Sequence, residues 1–465
     1  VSPASTSLPK RFDPRTVSSF RFTSRSLDAS GNVTLRYALD DALEFEERFT
    51  LPLPDGMAAL GSPAVKGLLA LMHFTAGVSY FKAAIPETIA FEGEPPGPAT
   101  ARLLEALYSE GLGEFATVNR LPHLPRPSFT TGHSADAGAA APASGSGLGP
   151  ALNPSRVLVP VGGGKDSAVA LELVRASGLP LALFSVGGAA PIAGTVKAAG
   201  LPWLQATRQI DPRLLELNRR GALNGHVPIT AIVASAALLT AALNGFDAVA
   251  LANERSASAG NTIWDGVEVN HQFSKSLRVE RLLAAAAAEV AGAPDVFSVL
   301  RAASELSIAR AFARLPQYHH VFTSCNRIFR LDPNTRTTSW CCDCDKCRFV
   351  FLILAPFMAP AELESIFGAA MLDDERQFKA FALLTGTGGH KPFECVGEIR
   401  DSVAALRLLA DDERWSQQRV LHRLLDEVLP RFAASDGRPQ DVFTLSAEHR
   451  VPPVLAAQVD ALLGA

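Results

Sequence analysis

VLVPVGGGKDSAVALELV, residues 157–174, decides the fold. It opens with β-branched and apolar residues, turns through three glycines, and continues with small and apolar residues at helical spacing until Gly178. The reading is a short buried strand over 156–161 and a helix over 167–176. Gly162, Gly163 and Gly164 let the backbone bend sharply and approach a ligand without a Cβ in the way. The first N–H groups of the helix lack intrahelical acceptors, and the helix dipole favours an anion there. Lys165 adds a positive charge and Ser167 a hydroxyl donor. Asp166 is poorly matched to bare phosphate but well suited to Mg²⁺. The loop is neither the P-loop of GxxxxGK[ST] type nor GxGxxG, because Lys165 is followed by Asp166 and the glycines are consecutive.

Outward from the loop, strand and helix patterns alternate. Strands are expected at 181–186, 202–206, 248–252 and 320–323, and helices at 227–243 and 278–290. This alternation predicts an α/β fold with a doubly wound parallel sheet and right-handed crossovers. Ligands of such sheets sit beyond the carboxyl ends of the strands. That rule selects Ser185 and Val186 for a nucleoside, and Asn253 and Glu254 after the 248–252 strand. It also selects Asn224 and His226, ahead of a helix with Pro228 as an early residue. Asn224 has a turn as its plain alternative, and His226 a helix cap.

The 465 residues exceed one hydrophobic core, so two or three domains are expected. Segments at 15–53 alternate as strands of a small sheet, and a helical apolar stretch follows at 66–84. These belong to an N-terminal α+β domain over 1–130. Residues 131–155, rich in Gly, Ala, Ser and Pro, read as a flexible linker. The nucleotide-binding domain spans 156–370, and a mostly helical C-terminal region spans 371–465. Apolar residues at 48% and charged residues at 19% indicate a globular chain. The net charge of -4 gives no support for bulk attraction to nucleic acid, and no aromatic-basic stripe is present. The apolar run at 227–243 approaches a membrane span in length, but its alanines, Thr230, Ser235 and Thr240 favour a buried helix. The first residues, VSPASTSLPKRFDPR, have no apolar core of a signal peptide, so a cytoplasmic location is expected.

Five of the six cysteines lie between Cys325 and Cys347. Clustering in a large chain points to a metal site or to thiols in a reducing compartment. Cys325, Cys341, Cys344 and Cys347 supply four thiolates for structural Zn²⁺, with Cys342 able to stand in for Cys341. Arg327, Arg330, Lys346 and Arg348 nearby serve either an anionic substrate or the solvation of the loop.

The loop resembles the SGGxDS motif of the PP-loop ATP pyrophosphatases, with Gly162 where that superfamily usually has Ser. The cysteine spacing resembles the zinc loop of 7-cyano-7-deazaguanine synthase, another PP-loop enzyme. A wider set of segments resembles the MurL family, the UDP-N-acetyl-α-D-muramoyl-L-alanyl-L-glutamate epimerases of bacterial peptidoglycan synthesis. They are SYFKAAIP at 79–86, NGHVPITAI at 224–232, LANERSAS at 251–258, VNHQFSKS at 269–276, TSCN at 323–326, WCCDCDKCRFVFLILAPF at 340–357 and GHKPFECVGEIRDS at 389–402. Cys342, Asp343 and Asp345 stand where Gly and Pro are more usual, a departure that bears on the conformation of the loop.

The resemblance implies a PP-loop (adenine nucleotide α-hydrolase-like) fold, the cofactors ATP and Mg²⁺, and the substrate UDP-MurNAc-L-Ala-L-Glu. The reaction it implies is adenylation of the terminal carboxylate, Cα deprotonation and reprotonation, and hydrolysis to AMP. Lys165 and Asp166 would serve the first step. Cys395, His226 and His271 are candidate bases, with Glu394 or Glu398 behind them. Asn270, His271, Lys275 and Arg278 are candidate ligands for the dipeptide carboxylates or UDP, and His390 and Lys391 for a phosphate of UDP. An amidating or thiolating PP-loop enzyme is the alternative.

Overall fold

The structure, a computed structural model, describes residues 8–54, 59–132, 152–260, 262–264, 266–329, 335–389, 394 and 396–464. Most of the expected linker, and also His390, Lys391 and Cys395, lie outside the described residues.

Nine strands form one sheet. In chain order they are β1 (Ser19–Leu27), β2 (Asn32–Leu39), β3 (Leu43–Thr50), β4 (Thr88–Phe91), β5 (Val157–Pro160), β6 (Leu181–Val186), β7 (Trp203–Gln209), β8 (Ala248–Leu251) and, beyond a separate hairpin of β9 (Thr262–Trp264) and β10 (Val267–Val269), β11 (Asp295–Ser298). The spatial order is β11-β8-β5-β6-β7-β3-β2-β1-β4. From β11 to β7 every pairing is parallel. β7 then pairs antiparallel with β3, through Arg48–Gln209, Phe49–Arg208 and Thr50–Thr207. The meander of N-terminal strands thus continues the parallel sheet and does not stand apart from it.

The central parallel strands β5 and β8 are apolar because both faces are covered, whereas β7, WLQATRQ, is largely polar and only partly buried. Val157 and Val159 face one core with Leu171, Leu183 and Phe297. Leu158, between them, faces the other with Phe184, Leu238 and Val249. β1 carries the alternation of a half-covered strand, with Phe20 and Phe22 inward.

The apolar run ahead of β8 forms the buried helix Ile229–Leu243, packed against the helix Pro63–Ala76. A hydrogen bond of 2.8 Å between the hydroxyls of Thr75 and Ser235 satisfies both polar groups at that contact. Among the described residues, Pro63–Phe81 is long and apolar enough to cross a membrane, and 78% of that window is buried inside the protein.

One expected strand is corrected. Residues 320–323 form a turn and an extended connection, and the sheet edge is β11, at 295–298. Phe322 and Thr323 are buried for a different reason: the segment runs beside the glycine loop, where the Thr323 amide donates to the Gly163 carbonyl at 3.0 Å.

Candidate functional site

The chain enters the loop from β5 and leaves it in the helix Lys165–Ala176. Gly163 has φ +80°, and a Cβ there would come within 2.6 Å of Pro191. At Gly164 a Cβ would meet the Ser324 hydroxyl at 2.7 Å. Glycine is therefore required at Gly163, by conformation and by the backbone of Pro191 and Ile192, whereas at Gly164 a side chain would only turn the Ser324 hydroxyl aside. Gly162 is exposed, with nothing within 4 Å of the position its Cβ would take. No side chain caps the helix start at Gly164, so its leading N–H groups remain available to an anion. Ser167 turns back and donates to the Gly164 carbonyl at 2.9 Å.

Lys165 is fully buried, and its ammonium contacts the carboxylates of Asp166 and Glu305. Burial works against that charge, but Asp166 and Glu305 outweigh it and hold the lysine above its ordinary range. Glu305 begins the helix Glu305–Phe312, after β11, and stands 3.9 Å from the Lys346 ammonium. Burial raises the Glu305 carboxyl against the pull of Lys165. Asp166 is held below its usual range, because Lys165 and Lys346 overcome the cost of burial. Behind them Asp401, buried and close to Glu398 and Glu305, is pushed up to about 7, chiefly by burial. It accepts the Leu306 and Glu398 amides and so ties the C-terminal helix Ile399–Ala410 to this group.

A second cluster lies at the starts of the helices that precede β8 and β11. The Nδ1 atoms of His226 and His271 both face one oxygen of Glu114, His226 at 3.8 Å and His271 in a close contact. The two rings are 4.6 Å apart between centroids. Burial, then the neighbouring His271, lowers His226 to about 4, so it is neutral near pH 7. Lys275 acts electrostatically on both His226 and Asp166, which links the two clusters. Glu394 accepts the Lys346 amide at 2.8 Å and feels the charge of His271.

The helices starting at Lys165, Ile229, Leu277, Glu305 and Asp345 thus bring their positive ends towards one region beyond the strands. Other expected residues are engaged within the protein. Ser185 donates to the Gly187 carbonyl at 2.8 Å and accepts from the Trp203 indole at 2.9 Å. Val186 ends β6 and is half-buried. Asn253 and Glu254 are buried, and the Glu254 carbonyl accepts from Arg301. Asn270 closes a turn, donating to the Ala257 carbonyl at 2.8 Å and accepting the Gln272 amide at 2.7 Å. Arg278 pairs with Glu110. Asn224 accepts from the Lys82 ammonium at 2.8 Å. Glu114, Glu305 and Lys82 escaped the sequence reading. Each is an unremarkable residue in a helical stretch, and only tertiary packing brings it to the site.

The sulfurs of Cys325, Cys341, Cys344 and Cys347 lie within 4.8 Å of one another. Cys341 and Cys347 are 3.7 Å apart, and Cys344 and Cys347 3.4 Å. A tetrahedron with metal–sulfur bonds of about 2.3 Å has edges of roughly 3.8 Å, so the set fits one ion. Cys342, at φ +53°, turns away and donates to the Phe367 carbonyl at 3.2 Å. Of the two alternatives, the Cys341 sulfur is the one that lies with the other three. The tetrad also buttresses the glycine loop, since Cys325 follows Thr323 and Ser324, and Cys347 follows Lys346.

Fold and site together define an α/β protein whose ligand-binding groups gather beyond the carboxyl ends of a parallel sheet. The chain belongs to the MurL family: the model of the MurL N-terminal domain matches residues 11–299 and that of the MurL C-terminal domain residues 321–438. It is similar to proteins named UDP-N-acetyl-alpha-D-muramoyl-L-alanyl-L-glutamate epimerase. One, from Micromonospora sp., is 45% identical over 95% of this chain and 98% of its own. Another, from Salinispora tropica, is 44% identical over 92% of this chain and 93% of its own. A third, from Xanthomonas oryzae pv. oryzae, is 40% identical over 97% of this chain and 98% of its own. No solved structure matches the chain.

Proposed function

We propose that the protein is an ATP-dependent epimerase that converts the terminal L-Glu of UDP-MurNAc-L-Ala-L-Glu to D-Glu, in cytoplasmic synthesis of peptidoglycan precursors. The observation that carries this reading is the near full-length similarity to epimerases of that name, 45% over 95% of the chain in one case. The isomerase class follows from it. The coupling to ATP and a PP-loop fold rest on the glycine loop and its surroundings.

The chemistry explains why an epimerase would consume ATP. A Cα–H beside an ionised carboxylate is hard to remove, because the carbanion would form next to a negative charge. Attack of the carboxylate oxygen on the α-phosphorus breaks the bond to pyrophosphate and leaves an acyl phosphate anhydride. The Cα–H is then acidic enough for a general base. Reprotonation from the opposite face inverts the centre, and water restores the carboxylate and releases AMP.

The residues fit these parts. The open space over Gly162 and the uncapped helix start suit a triphosphate. Asp166, the half-buried carboxylate of the loop, would hold Mg²⁺, which when bound offsets phosphate charge. Lys165 supplies the fixed cation beside them. The four sulfurs would hold Zn²⁺ as a cross-link that stabilises the wall of the loop. Neutral His226, with His271 set by Glu114, is suited to take or return the Cα proton. Cys395 is the other candidate base, and Lys391 a candidate ligand of UDP.

Incubation with ATP, Mg²⁺ and UDP-MurNAc-L-Ala-L-Glu in D₂O tests the reading. It requires AMP, pyrophosphate and deuterium at the Glu Cα. AMP without Cα exchange would leave the amidating or thiolating alternative, and absence of both products would refute adenylation altogether.

A further inference from the structure

Lys82 is a buried cation that the proposed chemistry leaves without a task. It follows the helix Val78–Phe81 and is 5% exposed. Its ammonium donates to the Asn224 side-chain oxygen at 2.8 Å and, weakly, to the Leu223 carbonyl at 3.4 Å. Among the described residues it forms no ion pair, whereas the other buried lysines, Lys165 and Lys346, each face a carboxylate. An ammonium withdrawn from water without a counter-charge is costly to keep. Burial alone lowers it to about 8, with no carboxylate to hold it up.

Its surroundings lead in two directions. Asn224 is two residues from His226 on one extended loop, and the Asn224 carbonyl is pinned by Asn119 at 2.9 Å. Gly225 at φ +156° lies against Phe115, beside Glu114. In the other direction Ala84, Ile85 and Leu223, which flank the Lys82 contact, line a cavity of about 690 Å³ together with Arg11, Arg15 and His123. Asp13, paired with Arg15 at 3.0 Å, shares that wall. The Lys82 ammonium lies just behind it, and its contact with residues 223–224 joins the cavity wall to the loop that carries His226.

We infer that Lys82 receives an oxyanion of the substrate, either the γ-carboxylate of the terminal Glu or the diphosphate of UDP, which supplies its missing counter-charge. The inference rests on the proposed function for the identity of the ligand. A purely structural lysine, tying residues 223–224 to the end of a helix, would make the same bond to Asn224 but would not affect discrimination between ligands.

The experiment is equilibrium binding to the full chain, without ATP, by the wild type and Lys82→Met. The ligands are UDP-MurNAc-L-Ala-L-Glu, its L-Gln counterpart, UDP alone and MurNAc-L-Ala-L-Glu. Lys82→Met should bind the Glu substrate ~30-fold more weakly, the low end for removing one partner of a buried charged contact. If the γ-carboxylate is the ligand, the wild type prefers Glu to Gln and the variant loses that preference. If the diphosphate is the ligand, the variant weakens on UDP and not on MurNAc-L-Ala-L-Glu. Equal affinities for all four ligands in both proteins overturn the inference. Should Lys82→Met not fold, Lys82→Gln, which keeps a donor towards Asn224, takes its place. A wild type that binds none of the muramoyl ligands sinks the functional reading and this inference with it, whereas intact binding in the variant sinks the inference alone.

Discussion

Lys165 and Glu305 lie 140 residues apart in the chain, yet the ammonium of one is buried against the carboxylate of the other. Breaking a buried pair costs about 3 kcal/mol when it strands a charge, and with Asp166 still facing Lys165 the cost falls to about 2 kcal/mol. Glu305→Ala should therefore lower the unfolding free energy in urea by about that much, and a loss below ~1 kcal/mol would refute a structural role for the pair. Lys165→Met removes the cation of the loop and should abolish AMP formation.

The cysteine tetrad makes an unequal prediction for two neighbours. Cys344→Ala should lose tightly held zinc, whereas Cys342→Ala should retain one ion per tetrad, because the Cys342 sulfur points to the Phe367 carbonyl. Elemental analysis of the purified variants reads this directly. Equal loss in both would show that Cys342 belongs to the ligand set. Chelation should also slow AMP formation, since Cys325 and Cys347 flank the residues that wall the glycine loop.

Glu114→Gln tests the histidine pair. Without the carboxylate, His271 loses its charged partner, and Cα deuterium exchange should fall about 100-fold, the low range for a misplaced acid or base. AMP formation should change far less, because the adenylation residues are elsewhere. Exchange and AMP falling together would argue that the cluster binds substrate and moves no proton. Cys395→Ala is the matching control: if Cys395 is the base, it stops exchange and spares AMP.

His73 governs part of the acid stability. It is 1% exposed among Phe22, Tyr37 and Phe74, bonded to the Arg36 carbonyl at 2.9 Å, and burial lowers it to about 3. Between that value and an unfolded pKa of about 6.5, the unfolded chain binds the extra proton. Stability is thus fully present above about pH 6.5 and is lost as pH falls towards 3, by on the order of 5 kcal/mol. His73→Gln should flatten the pH dependence of unfolding in that window by up to about 1.4 kcal/mol per pH unit. An unchanged slope would show that His73 is not the group responsible.

Much of the site was legible because its signals are local. The strand, the three glycines and the helix start at Lys165 are set by chain sterics and by the period of apolar residues. The structure returns them within a residue or two, with the helix beginning at 165 instead of 167. The cysteine spacing likewise named the four residues whose sulfurs cluster, since groups on one loop need only short reach. The strand expected at 320–323 failed because an apolar run records burial, not pairing. Phe322 and Thr323 are buried beside the glycine loop, while the edge of the sheet went to β11.

By itself, then, the sequence determined the glycine loop, the thiol cluster, the alternating core and the family resemblance, all carried by contiguous residues. Only the tertiary structure decided that the N-terminal strands continue the parallel sheet through β3 and β7. It also decided that the sulfur of Cys341 and not that of Cys342 lies with the tetrad, that Glu305 meets Lys165 and Glu114 meets His271, and that Lys82 meets Asn224. The physical reason is range. Backbone sterics and hydrophobic period act over a few residues, whereas the partner of a buried charge is fixed by packing between segments a hundred or more residues apart.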